Sequence, residues 1–165
     1  MVNPRKLNEV VVETLNSRIG DEYTAHYFYT AAYNWCVDAN YENAAAFFKH
    51  EMEDELNHSH QLQKWLVDWN SLPTIPPFET NFSFESLPDI IEKAYRLELD
   101  LLDKYLEDSQ SIFSIDLATF DFLRELREGQ ANSVIEYADK LAALELIDVN
   151  VKLDVLHFEE MYFKM

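Results

Sequence analysis

Glycine is almost missing from this chain: two residues in 165, beside five prolines. A turn-rich β protein needs many more of both, so that class is excluded. The long stretches of Glu, Leu, Ala, Tyr and Lys between these few breakers predict long helices. A single cysteine, Cys36, leaves no internal disulfide framework and suits a reducing compartment. Basic residues are few, 13 against 31 acidic, for a net charge of -18. Phosphate would be repelled, so no nucleic acid is expected as partner. A cation is the natural partner, although acidity by itself also keeps a protein soluble. No apolar run reaches membrane-spanning length, and the opening Met-Val-Asn-Pro-Arg-Lys has no apolar signal core. The expectation is a soluble, cytoplasmic, all-α protein without membrane contact, one domain over residues 1–165, long enough for a sizeable core.

Hydrophobic periodicity divides the chain into four long helices and a short fifth. The first spans about Asn8 to Ala39, with Leu7, Val10, Val11, Thr14, Ile19, Glu22, Tyr29 and Tyr33 at helical spacing. The second spans about Glu42 to Asp68 after the short break at Asp38-Ala39-Asn40, and a short break makes antiparallel neighbours. From Asn70 to Ser86 the helical period disappears and Pro73, Pro76 and Pro77 accumulate. A connection this long usually runs the length of a bundle, so the third helix restarts at the end where the second began. That third helix runs from about Leu87 to Ser109, with Ile91, Tyr95, Glu98, Leu102 and Tyr105 on one face. Ser114 or Asp116 caps a fourth, reaching about Leu144, with Leu123, Leu126, Gln130, Val134, Tyr137 and Leu141. A last amphipathic segment carries Val149, Leu153, Leu156 and Phe158.

Each long helix aims one metal-capable group inward. Glu55 and His58 stand three apart, on one side of a helix and about a turn from each other, so a single metal ion can touch both. Alone, Glu-x-x-His is a weak signal. Glu22 between Ile19 and Tyr29, Glu98 between Tyr95 and Leu102, and Gln130 on the fourth helix strengthen it. A buried carboxylate is costly unless paired, protonated or bound to metal. A hydrogen bond to a tyrosine is the plainer explanation for either Glu taken singly. Together the groups describe a dinuclear site, in which oxygen ligands with one imidazole suit iron or manganese and also zinc. Glu55 can bridge, Glu22 and His58 complete the first metal, and Glu98 completes the second.

Longer stretches repeat a known pattern. They include Leu15-Asn16 followed by Glu22, Tyr29 and Trp35-Cys36; Glu42-Asn43-Ala44-Ala45-Ala46-Phe47-Phe48; Asp54-Glu55-Leu56-Asn57-His58; the Leu72-Pro73 connection; Tyr95-Arg96-Leu97-Glu98; and Phe120-Asp121-Phe122-Leu123 with Gln130. In these the chain resembles the ferritins over nearly its whole length. The resemblance implies a four-helix bundle with a long crossover between helices 2 and 3 and a short fifth helix. It implies iron storage with ferroxidase activity, two irons per subunit, dioxygen or peroxide as oxidant, and a homo-oligomeric shell of about twenty-four subunits. By resemblance the ferroxidase positions are Glu22, Glu55, His58, Glu98 and Gln130, with Tyr29 as the nearby tyrosine; a core aromatic is the other reading of Tyr29.

The departures are specific. The fourth helix has no second Glu-x-x-His, because Gln130 is followed by Ser133. That combination is more like animal H-type chains than like bacterioferritin, and it implies a tight first site and a looser second one. Leu56 stands where bacterioferritin has its haem Met, so no haem is expected. Gly129 and Asn132 replace the carboxylates of a third iron site, leaving Asp54. Gly129 inside a helix suggests room for a ligand, a close helix contact, or plain tolerance. Asp116, Asp121 and Glu125 lie near the start of the fourth helix, where ferritin shells place their three-fold pores. The rival reading is a non-storage di-metal oxidase or peroxide scavenger of the same superfamily.

Overall fold

The computed structural model describes every residue, Met1–Met165. Five helices follow in order: α1 (Glu9–Asp38), α2 (Glu42–Asp68), α3 (Leu87–Phe113), α4 (Leu117–Leu144) and the short α5 (Lys152–Tyr162). Backbone contact is densest between α1 and α2 and between α3 and α4, so the bundle is two helical hairpins laid face to face. No helix is long and apolar enough to cross a membrane.

The ends of the helices explain how the chain manages without glycine. Asn40 and Asn70 adopt φ of 62° and 61° just beyond α1 and α2. In both places an amide reaches back to close the helix, Tyr41 N to Cys36 O and Ser71 N to Leu66 O, each 2.9 Å. Asparagine tolerates this left-handed turn best after glycine. At the other ends Asn8, Ser86 and Asp116 accept from Val10 N, Asp89 N and Thr119 N. Asp116, not Ser114, therefore caps α4, and Ser114 lies at the C-cap of α3. Helix α3 runs a turn beyond the expected Ser109. Through the polar run Glu107–Ser111 the helix continues, with Ser109 Oγ donating to Tyr105 O at 2.6 Å, and Ile112 returns to the core.

The crossover follows α1 in the direction of α1 itself. Thr74 N donates to Asn16 Oδ1 at 2.9 Å, Phe78 stacks on Tyr23 at 5.1 Å, and Phe82 and Phe84 flank Phe28 at 5.3 and 5.2 Å. Gly20 is required here, since a Cβ would lie 2.6 Å from Pro76 Cγ. Helix α3 consequently begins at the end where α2 begins.

The apolar interior falls into two clusters. One gathers Tyr29, Phe47, Phe48, Ile91, Tyr137, Phe158 and Phe163; the other gathers Leu15, Ile19, Leu62, Leu66, Leu101 and Leu123. Helix α5 does not bury the face its leucines suggested: Leu153 and Leu156 are exposed, while Val155, Phe158 and Glu159 point inward. Glu159 is buried because it finishes α2, whose own N-cap residue, Tyr41, offers no cap. Its carboxylate accepts from Ala44 N at 2.7 Å and from Asn43 Nδ2 at 3.1 Å.

Candidate metal centre

Between the two apolar clusters lies a polar layer, one group or pair from each long helix. Glu22 on α1, Glu55 on α2, Glu98 on α3 and Gln130 on α4 are all buried, and His58 is partly so. Ligand atoms of Glu22, Glu55 and His58 lie within 4.8 Å of one another. His58 Nδ1 is 3.0 Å from Glu55 Oε2 and 3.7 Å from Glu22 Oε2. Glu98 and Gln130 stand outside that triad and bind each other: the Gln130 amide donates to Glu98 Oε2 and, at 3.0 Å, to Glu98 O. The ligand atoms of the triad are thus already gathered, whereas both carboxylate oxygens of Glu98 are engaged by protein partners.

The tyrosine explanation of the buried carboxylates also holds in part. Tyr29 Oη donates to Glu98 Oε1, and Tyr105 Oη donates to Glu22 Oε1. It leaves Glu55 without a tyrosine, and it leaves Glu22 Oε2 wholly buried with no hydrogen-bond partner. An orphaned carboxylate oxygen facing an imidazole nitrogen and a second carboxylate is a donor set for a cation. The residues present therefore fit a divalent metal.

Protonation states record the same arrangement. Burial pushes Glu22 up, but the close approach of His58 and Glu55, the Tyr105 hydrogen bond and the charge of His58 more than offset it, so its net shift is downward. Burial and the neighbouring Glu22 charge push Glu55 well above the carboxylate range. His58 is opposed by burial, yet its hydrogen bond to Glu55 and the nearby Glu22 carboxylate lift it to about 11. Burial raises Glu98 to about 7 against the lowering bonds of Tyr29 and Gln130. Without metal, a proton on His58 Nδ1 occupies the place a cation would take.

Other residues settle elsewhere. Tyr29 is both a core aromatic, stacked 6.3 Å from Tyr137, and a partner of Glu98. His26 Nδ1 lies 2.6 Å from Met52 O and ties α1 to α2 rather than to Glu22. Asp116 is buried as a cap and meets Arg5 at 3.3 Å, so it lines no solvent channel within the chain; Asp121 and Glu125 are exposed. Gly129 has open space around it and no close helix contact. Sequence reasoning missed His50, which sits 3.2 Å from Asp54 and 3.8 Å from Glu51; the i,i+4 spacing of His50 and Asp54 was the available signal. It also missed Tyr105 as a partner of Glu22.

Comparison with known proteins agrees with this geometry. The ferritin-like domain family matches residues 12–147. A bacterial non-heme ferritin of Escherichia coli is 28% identical over 120 residues, 72% of this chain and 73% of that protein. A probable bacterial non-heme ferritin-like protein of Haemophilus influenzae is 29% identical over 126 residues, 75% of this chain and 76% of the relative. Among solved structures, a humanized archaeal ferritin superposes with a TM-score of 0.87 at 19% identity, covering 95% of this chain and 96% of the other. An open-pore ferritin from Archaeoglobus fulgidus gives 0.86 at 19% identity, covering 94% and 95%. At that identity the structures speak to the fold alone, a four-helix bundle, while the sequence match decides the lineage. The chain belongs to the ferritin-like domain family.

Proposed function

We propose that this protein is an iron-storage ferritin subunit with ferroxidase activity, a single ferritin-like unit that assembles into a cytoplasmic shell of about twenty-four copies. The observation that carries the reading is the preformed triad of Glu22, Glu55 and His58, with Glu22 Oε2 buried and unpaired. Fe(II) is the substrate. The net charge of -18 draws it in. The first ion takes Glu22, Glu55 and His58; the second takes the far oxygen of Glu55, Glu98 and, as a weaker neutral contact, Gln130. Two Fe(II) lose one electron each, and dioxygen with two protons leaves as hydrogen peroxide. Carboxylate ligands favour the harder, more highly charged Fe(III), which hydrolyses and passes to the mineral. A shell that takes peroxide as oxidant uses the same ligands.

The test is aerobic Fe(II) oxidation by the purified assembly beside His58→Ala and Glu55→Ala, followed by measurement of the iron retained after gel filtration. Fast oxidation lost in both variants, with iron retained by the wild type, is expected. Oxidation as slow as that of the variants refutes the ferroxidase reading; fast oxidation without retention refutes storage.

A further inference from the structure

Two tyrosines meet the buried carboxylates in a matched pattern. Tyr29 follows Glu22 by seven residues on α1 and donates to Glu98 on α3. Tyr105 follows Glu98 by seven on α3 and donates to Glu22 on α1. Seven residues are about two turns, so each hydroxyl lies on the face of its own helix's glutamate but reaches across to the neighbour's. The matched bonds have unequal consequences. Both oxygens of Glu98 are engaged, one by Tyr29 and one by Gln130. Of Glu22, only Oε1 is engaged, and Oε2 is left bare beside His58 and Glu55.

We propose that Tyr105 is a positioning residue of the metal centre: its hydroxyl fixes Glu22 Oε1 and thereby aims Glu22 Oε2 at the metal shared with Glu55 and His58. The inference rests on reading those three residues as ligands. A glutamate has three rotatable side-chain bonds, and a ligand left free to swing loses affinity to the ordering it must undergo; anchoring one oxygen removes that cost. A carboxylate present only to satisfy a buried phenol would not leave its second oxygen buried and unpaired, since a neutral acceptor would serve the phenol at less cost. The surroundings reinforce the aim. Arg18, one turn before Glu22, pairs with Asp108, three residues after Tyr105, at 3.2 Å. This ion pair clamps α1 to α3 beside the Tyr105–Glu22 bond.

The test is an anaerobic Co(II) titration of the assembled protein, followed by visible absorption and calorimetry, for the wild type, Tyr105→Phe and Tyr29→Phe. Phenylalanine keeps the ring and removes only the hydroxyl. Tyr105→Phe is expected to weaken the tighter Co(II) site about 10–100-fold while sparing the weaker one, as loss of an outer partner of a metal ligand does. Tyr29→Phe is expected to weaken only the weaker site. In a Glu22→Ala background the Tyr105→Phe effect on Co(II) binding disappears, which a packing role would not produce. In Fe(II) oxidation KM rises for Tyr105→Phe with kcat little changed. A tight site unaltered by Tyr105→Phe overturns the inference. So does weakening of both sites together with a lower melting temperature of the metal-free protein. A wild type that binds no Co(II) tightly, or whose tight site survives His58→Ala, overturns instead the ligand assignment beneath it.

Discussion

Loading the triad with a divalent metal must expel protons, and their number follows from the surroundings of each group. In the metal-free protein at neutral pH, His58 holds its proton because its hydrogen bond to Glu55 and the neighbouring Glu22 carboxylate lift it to about 11. Burial and the Glu22 charge raise Glu55 well above the carboxylate range, so it keeps its proton to higher pH than an ordinary carboxyl. Glu22, shifted downward, is already ionised. A metal needs a bare imidazole nitrogen, so binding near pH 7 releases the His58 proton and apparent affinity climbs about tenfold per pH unit, about 1.4 kcal/mol, with the raised Glu55 acting in the same direction. Anaerobic Co(II) calorimetry in buffers of different ionisation enthalpy counts the protons directly. His58→Gln deletes the imidazole proton, so the dependence on pH becomes clearly shallower. Stability shows the same balance. His58 is raised, so its contribution is complete below its ordinary 6.5 and fades as pH climbs toward about 11. Glu55 is also raised, so the folded state keeps that proton longer than the unfolded chain and loses stability as pH rises above the carboxylate range. Glu22 acts in the opposite sense, its contribution being lost only as pH falls through its lowered value. The metal-free protein is therefore most stable in mild acid and declines toward alkaline pH, and metal flattens that decline. Affinity that stays constant between about pH 6 and 8, with no proton release, refutes the reasoning.

Two further predictions concern the frame of the site. Glu159→Ala strips α2 of its only side-chain cap and leaves Ala44 N–H buried without a partner, for a loss of about 2 kcal/mol measurable by denaturant unfolding; an unchanged midpoint contradicts the capping role. The two glycines respond in opposite directions: Gly20→Ala presses on Pro76 and costs about 1–3 kcal/mol, whereas Gly129→Ala, with open space around it, gains about 1 kcal/mol from helix propensity. Paired thermal melts check both, and equal effects contradict the contact at Pro76.

The four long helices, the crossover and the inward groups were legible because each rests on a local rule: period, breaker, cap or i,i+3 spacing. What was hidden depends on contacts between distant segments. Nothing local marks Arg18 as interior, yet it is buried between Asp21 at 3.0 Å and Asp108 at 3.2 Å. Nothing local marks Lys140 either, yet it lies 4.5 Å from the Phe47 ring and 5.1 Å from that of Phe163, with Glu136 at 2.7 Å neutralising it. Glu159 made the fifth helix look uncertainly amphipathic, because the amides it serves are more than a hundred residues away. Tyr105 read only as one stripe residue among several, since nothing in the sequence says which carboxylate a tyrosine two turns along will meet.

The hairpin construction divides the centre unevenly. Glu22, Glu55 and His58 all come from the α1–α2 hairpin, and Glu98 and Gln130 from the α3–α4 hairpin. Across the seam run the two tyrosine bonds, each starting from the other's side. One half of the molecule therefore carries the gathered triad, while the other half carries the hydrogen-bonded Glu98–Gln130 pair. In the proposed reading, a second metal held by Glu55 and Glu98 would join the two halves across this seam. The Arg18–Asp108 ion pair, one turn from Glu22, crosses the same seam and would set how firmly the halves hold together around that metal.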